Sequence, residues 1–373
     1  MIYFDNAATT WKKPPGVTKA VMRSLFECGG NPGRSSHALS LAAAEAVDAV
    51  RCSLADLIGA EDPTHIVFCR GATEALNMAI YTRVQRGDHV LISDREHNAV
   101  YRPVCRLARD GIADFDVFST KSNVLQSIKD LLRDNTRMLI CNHVSNVDGA
   151  VAPIREIGRL CRERGIYFII DASQSLGHLP FSVKDVEADA VCAPGHKGLF
   201  GIPGCGFAWL RQAEGLREFL CGGSGSASRM PTMPPTLPER LEAGTLPTPA
   251  ILALGAGLAF LEKIGIEAVA AHETALAARL CERLNEMKGM QLYYGGTGGV
   301  LSLRAGTLTP DELTAALDSR GICVRGGLHC SPLSHSAIGT MPHGTVRASL
   351  CYFNTVAEVD RFATVLADII RQP

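Results

Sequence analysis

No C-x-x-C pair occurs among the thirteen cysteines of this 373-residue chain, which argues against zinc ribbons and dithiol redox motifs. Most of the thiols stand singly in apolar segments, among them Cys28, Cys52, Cys69, Cys105, Cys141 and Cys161. That is the pattern of buried free cysteines in a reducing cytoplasm. A charge excess is also missing. The 37 Lys and Arg against 38 Asp and Glu leave a net charge of −1, so there is no electrostatic footprint for nucleic acid or an anionic membrane. No apolar run reaches the roughly 18 residues of a spanning helix; Ala250 to Leu261 comes nearest. The first residues, Met-Ile-Tyr-Phe-Asp-Asn, have neither the basic nor the apolar region of a signal peptide. Internal repeats and low-complexity tracts are absent too. The expectation is a cytoplasmic protein with no nucleic-acid or membrane partner, long enough for a large domain and a smaller one.

What is present is an alternation of short apolar runs and helical patterns. Strands are expected at His65–Cys69, Val90–Ser93, Asp114–Phe118, Met138–Asn142 and Tyr167–Ile170, the last ending at Asp171. Between them lie helical patterns opening near Arg70, at Asn98–Arg109, Val124–Leu132 and Ile154–Arg164, preceded by Val17–Glu27 and Ala38–Ile58. Such β-α alternation predicts an α/β fold, a mostly parallel sheet covered on both faces, with ligands at the carboxyl ends of the strands. A long helical pattern, Ile251 to Met287, leads into a second region with strands at Gly299–Arg304 and Ile322–Arg325 and a closing helix at Glu358–Arg371. The predicted division is a large domain over 16–254 and a small one over 255–373, with residues 1–15 packed on the small domain. The Gly-, Ser-, Pro- and Met-rich stretch Cys221–Pro238 reads as a mobile loop or a subunit contact.

The stretch Asp189–Leu210 has an apolar run on each side of a loop rich in glycine and proline, and it holds one lysine, Lys197, after His196. The pattern reads as strand, tight loop, strand. A lysine in such a loop is either a solvated turn residue or a desolvated amine free to form a Schiff base. Other strand ends carry polar groups. Gly71-Ala72-Thr73 sits where a strand passes into a helix, either a simple cap or a phosphate cup of backbone N–H groups and a hydroxyl. Asp171 closes a strand, as a helix cap or as the partner of a protonated pyridine nitrogen; Gln174 follows one turn later. His97 lies at the same edge, as a structural histidine or one that stacks on a flat ring. Together these are what pyridoxal phosphate needs.

The chain resembles the cysteine desulfurase and selenocysteine lyase branch of the class V, fold-type I pyridoxal-phosphate enzymes. The pieces that carry the likeness run its whole length: Phe4-Asp-Asn-Ala-Ala-Thr9, Arg70-Gly-Ala-Thr-Glu-Ala-Leu-Asn77, Glu96-His97, Val144-Ser-Asn-Val147, Asp171-Ala-Ser-Gln174, Gly195-His-Lys197, Leu237 to Thr245, Val324-Arg-Gly-Gly-Leu-His-Cys330 and Val346-Arg-Ala-Ser349. The resemblance implies a large domain with a seven-stranded sheet and a small α+β domain carrying a catalytic-cysteine loop. It implies Lys197 as the Schiff-base lysine, His97 stacked on the cofactor ring, Asp171 on the ring nitrogen and Gln174 near the ring oxygen. Thr73, beside Ala72, and His196 would bind the phosphate, and Thr245 would reach it from the second subunit of a homodimer. Asn146 and Arg347 match contacts to the substrate carboxylate, and Arg325 an arginine near the catalytic cysteine.

Two positions depart from the family pattern. Pro194 stands where Ser or Thr is usual, and Ala72 where the family has the first of two threonines. Two phosphate-binding hydroxyls are thereby missing, and weaker retention of the cofactor is expected. Cys330 differs from the other cysteines in its Gly-rich, polar setting near Arg325, His329 and His335, where it is either one more free thiol or a nucleophile of depressed pKa; the resemblance implies the nucleophile. The implied activity is removal of sulfur from L-cysteine, giving L-alanine and a persulfide on Cys330 for a sulfur-acceptor protein or thiol, with iron–sulfur cluster assembly among the uses. Selenocysteine lyase acting on L-selenocysteine, C–S lyase and aminotransferase stay open, as does a non-catalytic scaffold. No metal site is expected.

Overall fold

The structure, a computed structural model, describes residues 1–33 and 36–371. Arg34 and Ser35, in the loop expected at 29–37, lie outside the described residues. Seven strands form one sheet in the order Ile66–Cys69, Gly206–Leu210, Ala190–Pro194, Tyr167–Asp171, Thr136–Asn142, Asp88–Ser93 and Ala113–Phe118. All neighbours run parallel except Gly206–Leu210, which is antiparallel to both of its partners. Because successive residues point to opposite faces, Leu139 and Phe168 pack in one apolar layer while Ile140 and Ile169 pack in the other. Both faces are covered, so the edge strand Ile66–Cys69 and its neighbours Gly206–Leu210 and Ala190–Pro194 are buried throughout. That is why they read as continuous apolar runs.

A second sheet is antiparallel, in the order Arg325–Gly327, Thr345–Ser349, Val300–Ala305, Met290–Tyr293. Its core gathers Phe4, Leu280, Leu301, Leu303, Val346 and Phe362. The strand expected at Ile322–Arg325 is two short pieces. Ile322–Cys323 pairs in parallel with Ile2–Tyr3, and Arg325–Gly327 joins the antiparallel sheet. The N-terminal segment contributes Phe4 to the second core, and Lys12 pairs with Glu358 of the closing helix. From Ala7 to Lys13 it crosses to the large sheet's loops, where Thr10 N–H and Lys13 Nζ donate to the His196 carbonyl.

The long helical pattern is likewise two helices, Thr248–Ile264 and Ile266–Asn285, bent by 83°. Gly265 makes the break at φ 86° and ψ 134°, a left-handed φ that costs a residue without Cβ little. The expected boundary at 255 falls inside the first helix, whose Leu258 and Leu261 pack in the core behind the large sheet. The change of partner comes on the second helix, between Val269, which still packs in that core, and Leu276 and Leu280, which belong to the second. No single helix among the described residues is long and apolar enough to cross a membrane. The segment 221–238 forms neither helix nor strand; Met233 and Leu237 are buried, and most of its other residues are exposed.

Candidate active site

The carboxyl ends of the parallel strands open into a cleft of about 600 Å³. Its walls include Ala72, Thr73, His97, Asn146, Asp171, Gln174, His196 and Lys197, eight of the residues singled out in the sequence, together with Pro194, Asn142 and Phe219. The helix Ala72–Tyr81 begins here with Gly71 as its cap residue and no side-chain cap. Its first backbone N–H groups therefore face the cleft as an anion cradle, with the Thr73 hydroxyl beside them. Gly206, on the strand paired with Cys69 and Pro194, lets this turn come close: a Cβ there would lie 2.6 Å from Gly71 Cα. Ala72 and Pro194 both line the cleft, so the two missing hydroxyls are missing where they would matter.

Asp171 is buried at its strand end. Its Oδ1 accepts from Ser173 N–H at 2.9 Å, and Oδ2 takes no hydrogen bond from the described residues. Lys197 faces it across the cleft, with its amine pushed down from 10.5 to about 8. Loss of water is the main cause; Asp171 works against the shift, while Arg347 and Arg325 add to it. His97 caps the helix Asn98–Arg109, its Nδ1 accepting from Ala99 N–H at 3.0 Å. The remaining proton of the neutral ring is thus on Nε2. Burial holds this imidazole to about 4, Asp171 opposing and Lys197, Arg325 and Arg347 assisting.

The N-terminal segment adds a set of contacts that the sequence reading did not place. Asp5 Oδ1 accepts from Arg347 Nη2 at 2.8 Å, the Ala7 carbonyl accepts from Gln174 Nε2 at 2.9 Å, and Thr9 Oγ1 lies 3.0 Å from His196 Nδ1. Burial, with Lys197 and Lys13 nearby, holds His196 to about 4. Glu96, of the Glu96-His97 pair, is a buried acid. Its Oε1 accepts from Ser93 Oγ at 2.5 Å and Asn142 N–H at 2.7 Å. Burial raises its pKa to about 8, and Asp171 contributes. The run of polar residues at these strand ends was the available signal.

Arg347 and Arg325 sit opposite each other on neighbouring strands of the small sheet, behind the cleft wall. Arg347 is 1% exposed. Its Nη1 donates to the Asn146 carbonyl at 3.0 Å and its Nε has no partner among the described residues. Asn146 spends its side chain on the cysteine loop: Nδ2 donates to the His329 carbonyl at 2.9 Å and Oδ1 accepts from Ser331 Oγ at 2.7 Å.

Cys330 is exposed and lies outside the cleft lining, but its loop is docked against the His97 wall. The Cys330 carbonyl accepts from Asn98 N–H, the residue after His97, at 2.7 Å. Cys330 is among the groups whose charge acts on the Arg347 guanidinium. His329 and Cys330 have φ of 51° and 57°, a left-handed conformation that costs an L-residue roughly 1–2 kcal/mol. His329 and His335 supply no positive charge to the thiol, because burial holds them to about 3 and about 4. Thr245 is exposed and away from the cleft, its Oγ1 accepting from Asn31 Nδ2 at 3.4 Å. No cluster of metal-ligating residues occurs among the described residues.

Comparisons with known proteins agree with this arrangement. The family model for aminotransferase class-V matches residues 2–362. A probable cysteine desulfurase of Methanothermobacter thermautotrophicus is 32% identical over 380 residues, covering 99% of this chain and 94% of the relative. One from Xylella fastidiosa is 34% identical over 385 residues, covering 99% and 91%. Among solved structures, the apo cysteine desulfurase of Thermococcus onnurineus NA1 superposes with a TM-score of 0.91 at 29% identity, covering 100% of this chain and 95% of the other. The chain belongs to the class V aminotransferase family.

Proposed function

We propose that the protein is a pyridoxal-phosphate-dependent cysteine desulfurase. The observation that carries this is the pairing of a buried amine with an exposed thiol. Lys197, lowered to about 8 opposite Asp171, shares one site edge with the Cys330 turn, docked on Asn98. The cleft fits the cofactor: Lys197 would hold it as a Schiff base, Asp171 Oδ2 is free to meet the ring nitrogen, and His97 offers its ring as a stacking face. Gln174 would neighbour the ring oxygen. The N–H groups of Ala72 and Thr73, the Thr73 hydroxyl and His196 would take the phosphate. When bound, the cofactor supplies an electron sink for charge at the substrate α-carbon.

The protein's own groups then divide the work. Lys197 Nζ, with its affinity for protons reduced, takes and returns the α-proton near neutral pH. Asn146 at the wall, with the Arg347 guanidinium behind it, would meet the substrate carboxylate. Arg325 adds positive charge on the same side. Cys330 Sγ, as thiolate, attacks the sulfur of L-cysteine: an S–S bond forms, the substrate C–S bond breaks, and L-alanine leaves with Cys330 as persulfide. The balance is L-cysteine plus thiol giving L-alanine plus persulfide, and an acceptor thiol or protein then collects the sulfur. In a homodimer Thr245 of each subunit would reach the other's phosphate, which accounts for its exposure here.

The test is alanine and persulfide production from L-cysteine by the cofactor-loaded protein beside Cys330→Ala. Loss of both in the variant, with the cofactor absorbance kept, is expected. Full turnover of L-cysteine in the variant would remove Cys330 from the reaction. Turnover of L-selenocysteine alone in it would favour a selenocysteine lyase.

A further inference from the structure

The turn that carries Cys330 is left-handed at both central positions without glycine or asparagine. Ser331 N–H closes it on the Leu328 carbonyl at 2.9 Å. Asn-Gly pairs dominate such turns, so a His-Cys pair persists there only where the surroundings over-determine it. Asn146 and Asn98 fix its main chain from the large-domain side, as described. From within, His329 is tied into a chain that the proposed reaction does not use. Its Nε2 lies 3.0 Å from the Arg325 carbonyl and its Nδ1 3.2 Å from His335 Nε2; His335 Nδ1 lies 2.7 Å from Thr340 Oγ1.

With both imidazoles neutral, the donors run in one direction only. The Arg325 carbonyl accepts and never donates, so the His329 proton is on Nε2. His329 Nδ1 is then an acceptor, which puts the His335 proton on Nε2. His335 Nδ1, at 2.7 Å, then takes the Thr340 hydroxyl proton in preference to the His335 carbonyl, which lies 3.3 Å from that oxygen. Burial, with Arg347 acting on His329 and Arg304 on His335, favours the neutral rings this pattern needs. Thr340 is itself fixed. Its N–H donates to the His335 carbonyl at 2.8 Å, and its own carbonyl accepts from Gly344 N–H and Arg304 Nη2. His329, His335 and Thr340 are all buried, and none lines the cleft.

We propose that His335, backed by Thr340, is a positioning residue for the Cys330 thiol. Its Nε2–H locks the His329 ring, and the locked ring holds the His329–Cys330 pair left-handed against the His97 wall. Through the Arg325 carbonyl the same chain ties the thiol's turn to the strand that carries Arg325. The inference rests on Cys330 being the sulfur-accepting thiol. Without the His335 donor, His329 Nδ1 is left buried and unpaired, and the turn relaxes toward the right-handed conformation its residues prefer.

The experiment compares the cofactor-loaded wild type with His335→Leu and His335→Gln, whose amide N–H can replace the lost donor. Three quantities are read: the absorbance change on adding L-cysteine, the single-turnover rate of persulfide formation on Cys330, and the rate of Cys330 alkylation by iodoacetamide without substrate. In His335→Leu we expect persulfide formation to fall on the order of ten- to a hundredfold, as misplacement of a reacting atom predicts. The absorbance change should stay, the alkylation rate should shift, and His335→Gln should restore most of the loss. Wild-type persulfide and alkylation rates in His335→Leu would overturn the proposal. So would equal loss of the absorbance change and of sulfur transfer without rescue by Gln, which marks a general structural role. Should His335→Leu fail to fold, Thr340→Val is judged by the same criteria, with a smaller loss expected. Alkylation does not depend on turnover, so it tests the positioning even if Cys330→Ala were to keep full activity and the desulfurase reading failed.

Discussion

The two chemical groups of the site are prepared in opposite ways. Lys197 lies at the end of a fully buried strand, in a loop whose His196 carbonyl takes donors from Thr10 and Lys13. Withdrawal from water lowers its amine to about 8. Cys330 is exposed, and its preparation is one of position: a left-handed turn, clasped by Asn146 and Asn98 and locked through His329. The amine is set by its surroundings' polarity and charge, the thiol by the shape of its backbone. Substitutions that alter burial should therefore act on the first, and substitutions that release hydrogen bonds on the second.

The largest effect expected to separate the two is that of Lys197→Ala. It should abolish covalent cofactor attachment and reduce alanine formation by several orders of magnitude, while Cys330 alkylation stays at the wild-type rate. Cys330→Ala should give the mirror image, with cofactor absorbance intact and no persulfide detected by mass spectrometry. Asn146→Ala removes both side-chain bonds to the turn and leaves the His329 carbonyl without its donor. A stability loss of about 1–3 kcal/mol in denaturant unfolding is expected, together with slower sulfur transfer.

Much of the amine side was legible in the sequence. The strands leading to Arg70, Asn142, Asp171 and Pro194 are apolar runs because both faces of the sheet are covered, and their polar ends announce the cleft. The thiol side was less so. Thr345–Ser349 is a central strand, yet it carries the charged Arg347 and alternates small and polar residues, so no apolar run marks it. The break at Gly265 is hidden because the apolar period continues across it. Contacts of Asn146 with residues 183 and 185 positions away depend on how the two domains meet. No local spacing encodes that. The route of the N-terminal segment over both domains was hidden for the same reason: Asp5 pairs with a residue 342 positions away.

Smaller effects sharpen the amine side. Ala72→Thr or Pro194→Ser restores a hydroxyl beside the anion cradle, for a gain of about 1 kcal/mol, or roughly fivefold tighter cofactor retention, read by cofactor loss on dialysis. The lowered Lys197 pKa also makes a statement about the cofactor-free protein. Its folded value, about 8, lies below its ordinary 10.5, so between these pH values the unfolded chain binds more protons. Stability from this group therefore rises with pH across that window, and the penalty of burying the charged amine is fully present below it. Lys197→Met should flatten that part of the stability curve relative to wild type, as followed by thermal unfolding from pH 7 to 10.

The central claim is that sulfur passes from L-cysteine to Cys330. The most direct measurement is a single turnover of the cofactor-loaded protein with L-cysteine, followed by trapping and peptide mass spectrometry of all thirteen cysteines. The account predicts a persulfide on the peptide carrying Cys330, formed together with alanine in equal amount. Alanine formed with the persulfide on another cysteine, or with free sulfide and Cys330 unmodified, would contradict it.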